Sequence, residues 1–288
     1  MVRGLAATAA ARGGLVLVTD AALDPAKQAR DLAQLVEAGV DAVLVYPAGE
    51  PGLLRAALDD AVGRGVVLFA HDTLGHPAVA GELVTPVAHM GALAADLLAD
   101  LLGGKGTVAI VGGVPAPAIL DRIAGFRRRL AERYPGLELV AEIDNRLDVE
   151  AGAEAAAAEL LASGVAPDGF FGYNDASAVG AARAARAAGF RPAVVGNNAE
   201  PHGIRALCEG IIAATVDRHP VELAVRGAEL MLDVLEGRLA RSAAPRRVEI
   251  DPTPVLAADA ASFVPWDQRC PEPPPGSWAV LETGAPAS

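Results

Sequence analysis

Aromatic residues make up only 4% of this 288-residue chain: two Trp, three Tyr and six Phe. Its core must therefore be built from Ala, Val and Leu, which the 52% hydrophobic fraction supplies amply. Cysteine is scarce as well. Cys208 and Cys270 fit no metal spacing and decide nothing about redox compartment. No apolar run reaches the roughly 18 residues of a membrane span. The first residues carry no basic-then-apolar leader, because Gly and Arg interrupt them before Leu15, so the chain as written reads as soluble. Lys and Arg number 24 against 36 Asp and Glu, a net charge of −12, and the one basic run is Arg127-Arg128-Arg129. Phosphate neutralisation needs clustered cations, so no nucleic-acid partner is expected. Those three arginines read instead as the solvated face of a helix.

Several chemical motifs are also missing. The chain has no GxxxxGK[ST] loop, no GxSxG elbow, no CxxC pair and no HExxH spacing. Gly103–Gly106 reads as a turn before a strand rather than a phosphate cradle. The nearest approach to a metal set is His71-Asp72 with His76. No metal and no cofactor are expected.

What is present is a steady alternation of strand-like and helix-like segments. Strands are expected at Leu15–Thr19, Ala42–Tyr46 and Val66–Ala70, with helices over Ala26–Ala38 and Leu53–Gly63 between them. A long helix over Met90–Leu102 precedes a break at Gly103–Gly106. A second series follows: strands at Thr107–Val111, Leu137–Ile143, Gly169–Tyr173 and Ala193–Gly196, separated by helices over Ile119–Arg133, Val149–Ser163 and Ala176–Ala188. Ala213–Val216, a helix over Glu222–Leu235 and Arg247–Ile250 complete the series. Unbroken apolar strands alternating with helices predict an α/β fold with parallel sheets covered on both faces. Two such series predict two doubly wound lobes, with the chain crossing between them more than once. Asp267–Gly276 is Pro-rich and reads as irregular, whereas Trp278–Glu282 has strand character.

Polar residues recur where the apolar strands end, which is where open α/β sheets place ligand contacts. Asp72 follows Phe69-Ala70-His71, and Asn174-Asp175 follows Phe170-Phe171-Gly172-Tyr173. Asn197-Asn198 follows Val194-Val195-Gly196, and Asp217-Arg218 follows Ala214-Thr215-Val216. Arg122 lies near the start of the second series' first helix. Each residue also has an ordinary reading: Asp72 and Asn198 as turn formers, Asn174 or Asp175 as a helix cap, Arg122 as a surface helix residue.

Taken in order, Asp24–Pro47, Asp121–Phe126, Tyr173–Ala188 and Val194–Arg218 resemble the type I periplasmic sugar-binding proteins of the ribose-binding kind. Lactose-repressor-type regulators share that core. The resemblance runs from about Val2 to about Ala258. It implies two doubly wound parallel-sheet lobes joined by a multi-strand hinge: residues 1–103 plus 219–246, and residues 104–218 plus 247–266, followed by a Pro-rich tail at 267–288. It implies capture of a sugar or polyol in an interlobe cleft, delivery to the membrane subunits of an ABC transporter, and no catalysis. Export to the periplasm, or anchoring as a lipoprotein, is implied if the natural start lies upstream.

The same resemblance assigns ligand contacts. Asp72 accepts from hydroxyls, Arg122 donates from the second lobe, and Asn174 supplies an amide, with Asp175 holding the helix start. Asn198 stands where the family usually has an aspartate, and Arg218 where a glutamine is frequent. Thr73 replaces a frequent arginine or asparagine, and Leu147 a stacking aromatic. Losing an acid and gaining a cation makes the pocket less negative than a usual pentose or hexose site, which also admits a modified polyol or a sugar acid. Family members begin with a strand before their first helix, whereas this chain starts in that helix (Val2, Leu5, Ala6, Ala9), so the first strand of lobe 1 is expected to be missing. Trp278–Glu282 is the one segment that could pair in its place. Two alternatives stay open: the effector-binding core of a transcription regulator, and an enzyme using His71-Asp72 and Asp217-Arg218-His219 as acid–base groups.

Overall fold

A computed structural model describes residues 1–22, 24–145, 149–240 and 244–281. The chain divides into two compact units: Met1–Thr85 with Pro220–Ile250 and residues from Cys270 onward, and Pro86–His219 with Asp251–Arg269. No helix among the described residues is long and apolar enough to cross a membrane.

The first unit opens with α1 (Val2–Ala10), β1 (Val16–Val18), α2 (Pro25–Glu37) and β2 (Ala42–Val45). The start of α2 follows capping rules, with Asp24 accepting the Ala26 N–H and Pro25 in the first turn. After a short 3-10 turn (Pro51–Leu54) come α3 (Arg55–Gly63), β3 (Val67–His71) and β4 (Val79–Val84). Later segments add α9 (Pro220–Leu235) and β10 (Arg246–Glu249). The sheet runs β10-β4-β3-β2, all parallel. One face packs Leu32 and Val36 of α2, Leu54 of the 3-10 turn and Leu58 of α3, and the other packs Leu223, Leu230 and Val234 from α9.

The second unit contains α4 (Val87–Leu102), β5 (Gly106–Gly112), α5 (Pro117–Arg133), β6 (Leu137–Asp144), α6 (Glu150–Ala162) and β7 (Gly169–Gly172). It continues with α7 (Asp175–Ala187), β8 (Ala193–Val195), α8 (Pro201–Cys208), β9 (Ala214–Asp217), β11 (Thr253–Leu256) and α10 (Trp266–Arg269). The order is β11-β9-β8-β7-β5-β6, parallel except for the antiparallel edge strand β11. Helices α4 and α5 cover one face and α6, α7 and α8 the other.

With so few aromatics, small residues let helices approach closely. A Cβ built on Gly91 of α4 would lie 1.9 Å from the Arg122 carbonyl, and one on Gly125 of α5 would lie 2.0 Å from the Ala88 carbonyl. Ala153 and Ala157 of α6 are fully buried against α7. Phe126 and Phe171 supply a single stacked pair, centroids 4.2 Å apart.

Several expectations need correction. The unit boundary falls at Thr85/Pro86 and not near 103, because α4 docks on α5 through its glycines. β10 belongs to the first unit, paired with β4. Three elements escaped the sequence reading. In β4, Gly81 and Glu82 interrupt the apolar run although all six residues are buried. The start of α8, Pro201-His202-Gly203, reads as a turn. β11 contains Pro254, which is tolerated at a sheet edge. The Pro-rich stretch includes the short helix α10. From Cys270 onward the tail joins the first unit, where β12 (Trp278–Val280) pairs parallel with β1 as a separate two-stranded sheet.

The close crossing of α4 and α5 is directly testable. Gly125→Ala should lower stability by about 1–3 kcal/mol or more through overpacking against backbone, read as a lower urea midpoint at unchanged slope. Gly52→Ala meets nothing within 4 Å and should stay within about 0.5 kcal/mol of the parent. Equal effects from the two would contradict this packing.

Candidate functional site

Neighbouring parallel strands bring their C-terminal ends to one edge, so β5, β7, β8 and β9 deliver their following residues side by side. Arg122 lies in α5, which follows β5. Tyr173-Asn174 follow β7, Asn197-Asn198 follow β8, and Asp217-Arg218 end β9. Four of the expected contacts, Arg122, Asn174, Asn198 and Arg218, therefore share this edge of the second unit.

Arg122 is 6% exposed. Its Nη1 donates to the Tyr173 carbonyl at 2.5 Å and to Asn198 Oδ1 at 3.1 Å. Asn198 Nδ2 in turn donates to Glu200 Oε1 at 3.1 Å. A guanidinium, an amide and a carboxylate thus form one chain of planar polar groups. Glu200 was not among the residues singled out from the sequence.

The backbone that presents Asn198 is strained. Asn198 has φ +102° and Ala199 φ +50°, a left-handed region that costs a non-glycine residue about 1–3 kcal/mol. Two buried side chains hold it there. Thr215 Oγ1 accepts the Ala199 N–H at 3.3 Å and lies 2.6 Å from Asp175 Oδ1. Asp175 Oδ2 accepts the Glu200 N–H at 2.7 Å. Gly196 and Gly203 leave room for this carboxyl, since a Cβ on either would come within 2.4 Å of it. Burial pushes the Asp175 carboxyl up to about 8, against the hydrogen bond from Thr215, and the negative charge of Glu200 adds to the rise.

Within the Asn-Asp pair the helix start is held by Asn174 and not, as expected, by Asp175. Asn174 caps α7, its Oδ1 accepting the Ser177 N–H at 2.8 Å, while Asp175 reaches across to β9 and the start of α8. The capping reading holds for Asn174, whose side chain is 8% exposed.

Asp217 is fully buried, accepting from Arg269 Nη2 at 2.7 Å and from the His219 N–H at 2.9 Å. The Arg269 guanidinium lies 5.0 Å from the Phe263 ring centroid. No local signal announced Arg269, which sits in the Pro-rich stretch, 52 residues from its partner. His219 Nε2 lies 2.9 Å from Thr253 Oγ1. Arg218, half-buried, has neither ion pair nor hydrogen bond among the described residues. Asn197 is fully buried, and neither of its side-chain polar atoms has a hydrogen-bond partner among the described residues.

In the first unit, Asp72 and Thr73 follow β3. Asp72 has φ +62°, its N–H donates to the Leu83 carbonyl at 2.7 Å, and its Oδ1 accepts the Thr85 N–H at 3.1 Å. Its Oδ2 lies 3.6 Å from His71 Nδ1. Thr73 is exposed beside Leu74 and His76 in a concavity of about 480 Å³. Leu147 lies outside the described residues. His76 is engaged locally, with Nε2 3.0 Å from Asp59 Oδ1 and Nδ1 accepting the Ala78 N–H. No group of three potential metal ligands occurs among the described residues.

The Asp175 clamp gives stability a definite pH dependence. Its carboxyl titrates near 8 when folded and near 3.8 when unfolded, so between those values the folded chain holds a proton that the unfolded chain releases. Its stabilising contribution is complete below about 4 and is lost as pH rises through about 8, at up to about 1.4 kcal/mol per pH unit. Asp175→Asn mimics the protonated group and should flatten urea-derived stability between pH 5 and 8. An equally steep decline in parent and variant would remove Asp175 as its source.

Comparison with known proteins accounts for this arrangement. The chain is 30% identical over 243 residues to the ribose import binding protein RbsB of Bacillus subtilis, covering 82% of this chain and 76% of that protein. It is 28% identical over 204 residues to the xylitol-binding protein of Mycolicibacterium smegmatis, covering 69% of this chain and 58% of that one. Among solved structures, the Caulobacter myo-inositol binding protein bound to myo-inositol superposes with a TM-score of 0.79 at 24% identity, over 91% of this chain and 89% of that one. An ABC transporter solute-binding protein from Mycobacterium smegmatis with bound glycerol also gives 0.79, at 22% identity over 93% and 92%. These two likenesses establish the α/β fold with parallel-sheet lobes. Residues 1–239 match the periplasmic binding protein domain, and with that extent of agreement the chain belongs to the periplasmic binding protein family.

Proposed function

We propose that this protein captures a sugar, polyol or closely related solute and hands it to the membrane subunits of an ABC-type importer, acting outside the cytoplasmic membrane and without catalysis. The observation that carries the reading is the Arg122–Asn198–Glu200 chain at the strand ends of a unit whose relatives are named for ribose and xylitol. Vicinal hydroxyls are donor–acceptor pairs of fixed geometry, and planar guanidinium, amide and carboxylate groups meet them in pairs. Arg122 and Asn198 are held by the second unit before any solute arrives, which reduces the ordering cost of binding. The further residues proposed as ligand contacts are Asp72 and Thr73, which follow β3 of the first unit, and Asn174 and Arg218 of the second.

A hydrogen bond to a charged group contributes about 1.5–3 kcal/mol, so a few of them with apolar contact reach the roughly 8 kcal/mol of micromolar binding. Thermal shift and calorimetry against pentoses, hexoses, polyols and sugar acids should find one class that raises the melting temperature. Arg122→Gln and Asp72→Asn should each weaken that ligand roughly ten- to a hundredfold, with circular dichroism unchanged. The reading is overturned by a panel in which no carbohydrate binds, or by binding that neither substitution alters.

A further inference from the structure

Where β8 and β9 end in the second unit, charge is unevenly balanced. Three guanidinium groups stand there: Arg122, Arg218 and Arg269. Asp217 is matched by Arg269 at 2.7 Å and takes the His219 N–H with its other oxygen. Glu200 receives the Asn198 amide at 3.1 Å and lies 3.6 Å from His202. Asp175, buried and titrating near 8, carries no charge at neutral pH. Position 198 holds a neutral amide. Arg218 follows Asp217 directly, and Asp217 is bridged to Asn198, so Arg218 stands one residue along the chain from the backbone partner of the amide that Arg122 engages. Half-buried and without an ion pair among the described residues, it is a cation that the neighbouring carboxylates do not neutralise.

A partly buried guanidinium gains most from a planar anion that accepts two parallel N–H bonds. We infer that Arg218 is a specificity-determining residue that makes the site prefer a carbohydrate carrying a carboxylate, an aldonate or uronate, over the neutral sugar of the same carbon skeleton. This rests on the solute-binding reading above and deepens it. Arg218 takes the ligand carboxylate, and Arg122 and Asn198 of the same unit take hydroxyls.

The test is calorimetry at pH 7.5 and low ionic strength with matched pairs: D-ribonate and D-ribose, D-xylonate and D-xylose, D-glucuronate and D-glucose. In at least one pair the acid should bind about tenfold or more tightly than its neutral partner, the effect of one charge-assisted bond. Added salt should erode that preference. Arg218→Gln should bring the acid-to-neutral ratio close to one, and Arg218→Lys should restore part of it. If the unmodified protein binds the neutral member equally or more tightly in every pair, the inference fails while the solute-binding reading stands. An acid preference that persists in Arg218→Gln also overturns it. Absence of binding by every acid also overturns the inference, whereas the solute-binding reading falls only if the polyols of the wider panel fail as well. The unmodified protein alone decides the first comparison, so the test does not depend on any variant folding.

Discussion

Asp175 lies out of reach of solvent and joins three segments far apart in the chain: the start of α7, Thr215 in β9 and the Glu200 amide ahead of α8. The loop it grips passes through two left-handed non-glycine residues, a conformation that persists only when its surroundings over-determine it. That grip adds to the bond from the Asn198 N–H to the Val216 carbonyl, 2.8 Å, in fixing Asn198 where Arg122 can donate to it. The position of the polar array thus depends in part on one fully buried carboxyl. Gly196 and Gly203 are part of the same device, since any larger residue would occupy the space the carboxyl needs.

The rest of the second unit supports this edge by close packing of small residues. Gly91 and Gly125 let α4 and α5 approach backbone to backbone, which sets the depth at which Arg122 enters the strand ends. Fully buried alanines do the same between α6 and α7. A chain poor in aromatics gains stability through many short-range dispersion contacts rather than a few large side chains. Such interfaces tolerate little added volume, which suits a scaffold that must hold planar groups in register. Family membership fits this design: the sheet and helices are a common frame, on which different sites can be built.

Much of this was legible in the sequence. Apolar runs such as Val108–Val111 and Phe170-Phe171 marked strands buried on both faces, and the alternation with helices marked parallel sheets. The polar residues after each run marked the edge where the candidate contacts Arg122, Asn174, Asn198 and Arg218 gather, because burying such groups is unfavourable without a partner. Less was legible where local pattern and burial disagree. β4 hides a buried Glu82 and a Gly81 inside a strand, and β11 carries a proline that only its edge position permits. The boundary between units was misplaced because the break at Gly103 is strong locally, whereas α4's allegiance is set by its glycine contacts with α5.

Sequence alone determined the element types, the order of the parallel strands' apolar segments and which residues stand at their ends, because these follow from periodicity and turn chemistry within a few residues. Tertiary structure alone decided what each polar group does. Asp175 became the clamp, Asp217 was neutralised by Arg269 from the Pro-rich stretch, and the tail strand Trp278–Val280 paired with Val16–Val18. Those outcomes turn on partners 25 or more residues away. A buried charge takes whatever complementary group the fold brings within about 3 Å, and no local pattern in the chain records which group that is.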